Sequence, residues 1–90
     1  MLIRIAEFDG KPAFHDDPKL LGRFRAWMRG QPGFLHGWHA TDPKTGCTVA
    51  ISIWKDRASL LALKDRPFPG GSLGAGPPDR LTIFEHAEAF

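Results

Sequence analysis

The sequence predicts an α+β fold whose strands and helices follow in the order βαββαβ, and three observations carry that prediction. The segment from Pro32 to Asp56, PGFLHGWHATDPKTGCTVAISIWKD, holds two strand-like runs joined by turn residues and ends on a helix cap. Ahead of it, Asp17-Pro18 opens a stretch in which Leu20, Leu21, Phe24, Trp27 and Met28 recur at helical spacing. At the two ends, Leu2 to Phe8 and Arg80 to Ala87 are short strand-like runs.

Each element has a local cause. In the first strand Ile3, Ile5 and Glu7 share one face and Leu2, Arg4, Ala6 and Phe8 the other, and Asp9-Gly10 ends it. Residues 11–16 are expected as a loop. Asp17 is the expected N-cap of the first helix, with Pro18 at its first position, Lys19, Arg23 and Arg29 away from the apolar stripe, and Gly30 as C-cap. The turn Asp42-Pro43-Lys44-Thr45-Gly46 then reverses the chain: Pro43 presets φ, Asp42 accepts from the backbone two residues on, and Gly46 takes the left-handed conformation.

Pairing Asp42 with Cys47 sets Ala40 opposite Val49, Trp38 opposite Ile51 and His36 opposite Ile53, a bulky apolar face. Leu35, Gly37, His39, Thr41, Thr48, Ala50, Ser52 and Trp54 form the other face, most of them small or polar. Asp56 caps a second helix expected to run to about Arg66, with Ala58, Leu60, Leu61 and Leu63 inward and Pro67 as its stop. A Gly/Pro loop, Phe68 to Asp79, leads to the last strand.

For this order the right-handed crossover rule places the third strand between the second and the first, and the first between the third and the fourth. The result is a ferredoxin-like, four-stranded antiparallel sheet with both helices on one face. Val49 to Ile53 has no strongly polar face, so the side without helices exposes an apolar patch. A homodimer packed through that sheet face is the expected remedy.

Ninety residues are read as one domain over 1–90. Twelve basic and ten acidic residues are interspersed without a basic run, which argues against nucleic acid as a partner. With no bilayer-length apolar run and no signal-peptide pattern, no membrane partner is expected and the location is read as cytoplasmic. A single cysteine, Cys47, agrees with a reducing compartment.

The segment PGF…DPKTG…SIWKD, the capped helix after it and the βαββαβ order resemble the antibiotic biosynthesis monooxygenase group of the dimeric α+β barrel superfamily. The resemblance implies a homodimer, a cavity between sheet and helices, and relatives that include cofactor-independent oxygenases of aromatic polyketides and quinols as well as haem-degrading enzymes. The haem-degrading branch carries an Asn on the first strand, a Trp in the second helix and a His after it. This chain has Leu63 and Leu73 at the latter two positions and only Ala6, Glu7 and Phe8 at the first, so that activity is disfavoured.

Among candidate site residues, His36 and His39 are three apart on a strand, so their side chains face opposite ways and no metal site is expected. His36, beside Phe34 and Trp38, is read as an interface or core residue. His39 is the candidate catalytic base. Trp38, Trp54 and Ser52 are the candidate ligand contacts, the tryptophans by stacking on a planar aromatic compound. The resemblance implies chemistry in which a phenolate made there passes an electron to dioxygen without metal or flavin, so no cofactor is expected. Close packing is nevertheless the expected use of the small residues around His39, since native interiors leave few voids.

Other residues have plainer readings. Glu7 is expected to pair with Arg80 or His86, His15 to be solvated, and Cys47 to lack activation. Ser72 sits in a glycine-rich run without the lysine and helix of a phosphate loop. Two functions follow: a cofactor-independent monooxygenase-like protein acting on a small aromatic or quinol compound, or a non-catalytic dimeric ligand-binding or housekeeping domain. A cavity of at least ~300 Å³ walled by His39 or Trp54 favours the first.

Overall fold

The computed structural model of the protein describes residues 1–10, 12–69 and 77–90. Strands β1 (Leu2–Phe8), β2 (Phe34–Thr41), β3 (Thr48–Trp54) and β4 (Arg80–Phe84) form one antiparallel sheet in the order β2-β3-β1-β4. Helix α1 (Pro18–Arg29) joins β1 to β2, and α2 (Arg57–Ala62) follows β3. The architecture is the ferredoxin-like α+β arrangement that the element order predicts. Among the described residues no helix is long and apolar enough to cross a membrane.

Turn and cap chemistry behaves as the residue types require. Asp42 Oδ1 accepts from the Lys44 backbone N–H at 2.9 Å, and Gly46 adopts φ +77° while its N–H donates to the Asp42 carbonyl. The resulting register sets Trp38 against Ile51, His36 against Ile53 and Ala40 against Val49. Asp17 caps α1 by accepting from the Leu20 N–H, and Asp56 caps α2 by accepting from the Ser59 N–H at 2.8 Å. The Ser59 hydroxyl also donates to Asp56 Oδ1 at 2.7 Å, and this bond, then the one from the backbone N–H, holds the Asp56 carboxyl below its usual range.

Alternation along the strands sorts the two faces. Leu2, Ala6, Thr48 and Trp54 are buried on the face that α1 covers, together with Leu21 of the helix. The opposite face carries Trp38, Ile51, Ile53 and Phe84, of which Trp38 is 52% and Phe84 51% exposed. Across β1 and β4, Arg80 Nε donates to Glu7 Oε2 at 2.9 Å and Arg80 Nη2 to Asp9 Oδ1 at 2.6 Å, so Arg80 is the partner of Glu7.

Several local expectations are corrected. A β-bulge between Phe34 and His36 breaks the alternation at Leu35. Phe34 therefore lies on the helix face, 5.4 Å ring to ring from Trp54, instead of beside His36 and Trp38. His36 is exposed and stacks on Trp38, so it is no core histidine. The segment before α1 is a turn of 3-10 helix, Ala13–Asp16, because Phe14 is buried and holds it against the core.

At the end of α1, Gly30 stays right-handed at φ −85°, whereas Gly33 takes φ +82°. A side chain at Gly33 would also overlap Ser59, so the chain crosses the cap of α2 only because that residue is glycine. The second helix continues from Ala62 as the 3-10 turn Leu63–Asp65, with Leu60 and Leu63 half-buried but Ala58 and Leu61 exposed. β4 ends at Phe84, three residues short of the expected Ala87. Most of the Gly/Pro loop, including Ser72 and Leu73, lies outside the described residues.

Candidate functional site

Of the small residues on the helix-facing side, Gly37 lies under the Phe34 ring, which a β-carbon there would meet at 3.0 Å, and space opens beside it. Gly37 and His39 of β2, Ala50 and Ser52 of β3, and Arg4 of β1 form the floor of a cavity of about 490 Å³. Phe24 and Met28, one helical turn apart on α1, form its opposite wall, and Arg25 and Arg29 repeat the same spacing alongside them. Phe34 closes one end. The expectation of close packing holds at Gly37, which lies against the Phe34 ring, and fails around Ala50 and Ser52, where large side chains at both ends hold α1 above short ones on the sheet.

His39 sits at the far end of this strip, in a cluster of rings. Its imidazole is 5.2 Å from His15, 6.1 Å from Phe14 and 6.3 Å from Phe24, centre to centre. His15 is half-buried here and is not the solvated side chain its loop position suggests. Phe68 extends the cluster, lying 5.6 Å from Phe24 and 5.5 Å from Trp27.

The Arg25 guanidinium approaches His39 Nδ1 with Nε at 3.3 Å and Nη2 at 3.2 Å. A guanidinium has no acceptor, so Nδ1 holds the lone pair and the ring proton is assigned to Nε2. Burial, then the nearby charges of Arg25 and His15, push the imidazole down to about 4 from its ordinary 6.5. At neutral pH His39 is therefore an uncharged ring with a donor at Nε2 and an acceptor engaged by Arg25.

The other predicted site residues separate. Ser52 is in the cavity wall, and its Oγ accepts from the Trp54 indole N–H at 3.0 Å. Trp54 itself is fully buried against Phe34 and orients Ser52 from behind. Trp38 belongs to the strand that borders the cavity, but its indole turns to the other face and stacks on His36 at 6.0 Å and 29°. Arg4, Phe24 and Arg25 were not singled out by sequence. The signal available for Arg4 was its parity with Leu2 and Ala6, a charge among residues destined for burial.

The depressed His39 value has a stability consequence. The unfolded chain takes up this proton near pH 6.5 and the folded chain only near pH 4, so His39's contribution is complete above pH 6.5 and is lost as pH falls toward 4. Urea unfolding of wild type and His39→Gln across that window is expected to show a steeper acid loss in wild type. Identical slopes would contradict the burial of a neutral imidazole.

No family model matches the chain, and no curated protein does. Solved structures do. SnoaB from Streptomyces nogalater, a cofactor-independent oxygenase solved as a single-site mutant, superposes with a TM-score of 0.70 at 18% identity, over 98% of this chain and 94% of that one. The ActVA-Orf6 monooxygenase of Streptomyces coelicolor, solved with nanaomycin D, gives 0.63 at 19% identity over 99% and 89%. A structure described as an antibiotic biosynthesis monooxygenase gives 0.66 at 24% identity over 99% of both chains. From end to end, this chain has the fold of the antibiotic biosynthesis monooxygenase structures.

Proposed function

We propose that residues 1–90 act as one domain with cofactor-independent monooxygenase-like chemistry on a small aromatic or quinol compound. The observation that carries this reading is the cavity of about 490 Å³ walled by His39, above the size at which small-molecule sites begin. Its apolar wall, Phe24, Met28, Phe34 and Ala50, suits a planar ring.

His39 is proposed as the base. Its acceptor is held by Arg25, and that guanidinium also lowers its basicity. A phenolic oxygen entering the cavity draws Arg25 toward itself, freeing Nδ1 and raising the basicity of His39 as the proton leaves the substrate. The electron-rich anion then gives one electron to dioxygen, and the resulting radical pair joins to form a carbon–oxygen bond. Where the reacting carbon is a methylene, loss of water leaves a carbonyl: CH2 and O2 become C=O and H2O. All four electrons come from the substrate, so no external reductant is required. Ser52, held by Trp54, is proposed to orient the ring oxygen.

The chain is also proposed to work as a homodimer through the open sheet face, where Trp38 and Phe84 are half exposed among Ile51 and Ile53. Cytoplasmic location belongs to the same reading. The alternative, a non-catalytic dimeric ligand-binding or housekeeping domain, shares cavity and dimer and differs only in turnover.

Oxygen uptake with a panel of phenols and hydroquinones is expected for wild type and is expected to fall by about a hundredfold or more in His39→Ala. Uptake by no compound, or uptake indifferent to that change, would leave the binding-domain reading instead. Sedimentation analysis is expected to give a dimer for wild type and a monomer for Trp38→Glu; a wild-type monomer would end the dimer proposal.

A further inference from the structure

Among the described residues, the cavity wall contains Arg4, Arg25 and Arg29 and no aspartate or glutamate. Elsewhere the described arginines near acids take them as partners: Arg80 binds Glu7 and Asp9, and Arg57 binds Glu85. Arg4 is different. It stands on β1, one of the two central strands, opposite Ser52 of β3 and Ile83 of β4, and among the described residues no carboxylate pairs with it. The strand neighbours on its own face, Leu2 and Ala6, are buried.

We propose that this cavity is a site for a planar organic anion, with Arg4 as the counter-ion and Arg25 closing on the same charge. The inference deepens the oxygenase reading by fixing the charge of its substrate, and it rests on the cavity being a ligand site. A half-buried guanidinium without an anion bears an uncompensated desolvation cost, which a carboxylate or phenolate in the cavity offsets through a charge-assisted, bidentate contact. The burial that lowers the Arg4 value is the physical mark of that cost. The phenyl rings of Phe24 and Phe34 and the thioether of Met28 supply the apolar surface for the rest of a flat ligand. Arg25 is exposed on α1, and its side chain can leave His39 for the ligand; Arg4 is half-buried on a central strand between buried Leu2 and Ala6, which restricts its side chain and makes it the better-fixed of the two charges.

The test is a matched pair of probes, naphthoate and naphthamide, equal in shape and differing in charge, titrated calorimetrically into the full chain. Wild type is expected to bind naphthoate about tenfold or more tightly than naphthamide, roughly the 1.4 kcal/mol of one charge-assisted contact. Arg4→Gln is expected to bring the two affinities together, Arg4→Lys to keep part of the difference, and Arg25→Gln to reduce it. If Arg4→Gln does not fold, Arg25→Gln decides. Equal affinities in wild type, no binding of either probe, or an unchanged ratio in folded Arg4→Gln would overturn the proposal. Selective naphthoate binding without oxygen uptake from any phenol keeps the anion site and ends the oxygenase reading. Oxygen uptake without preference for naphthoate does the reverse.

Discussion

The structure depends on a mismatch of side-chain size between α1 and the strip of sheet beneath it. Trp54 and Phe34 fill the space at one end, and Phe14, His15 and Phe24 crowd around His39 at the other. Between those supports the sheet presents Ala50 and Ser52 and the helix presents Met28, while Gly37 lies against the Phe34 ring. A helix is stiff over its three turns, so it cannot bend down to close the interval. The cavity is the geometric remainder of two well-packed ends.

The same arrangement fixes the electrostatics. Removing His39 from water favours its neutral form, and Arg25, whose partner atom is the His39 lone pair, favours it further. The positive charge of the site thus stays on guanidiniums, which hold their protons throughout the physiological range, while the imidazole stays available to exchange one. In the proposed oxygenase reading, such a cationic site would stabilise an aromatic anion more than its neutral acid, the direction in which deprotonation is driven before dioxygen accepts an electron.

Much of the fold is legible because its signals are local. The Asp42 to Gly46 turn, the Asp17 and Asp56 caps and the alternation of β3 each act within a few residues, and together they determine order and register. The bulge at Leu35 was not legible, since it arises from where the exit of α1 meets the end of β3, with Lys55 N–H donating to the Gly33 carbonyl at 2.7 Å. Of the site, parity along β2 and β3 correctly separates His36 from His39 and groups His39 with Ser52. It could not show that Trp54 packs behind Ser52, nor that Arg25 reaches His39 across fourteen residues of sequence. Whether a row of small residues means close approach or open space is set by the bulk at its two ends, a tertiary fact.

On that last distinction the site stands or falls, and a stability measurement on Ala50→Leu addresses it directly. Ala50 faces the cavity between His39 and Ala6, so added methyl groups enter open space. An open interval beneath α1 predicts an unfolding free energy equal to or above that of wild type. A loss of about 1–3 kcal/mol, the usual cost of forcing extra carbons into a filled interior, would show that α1 and the sheet are already in contact there and would contradict it.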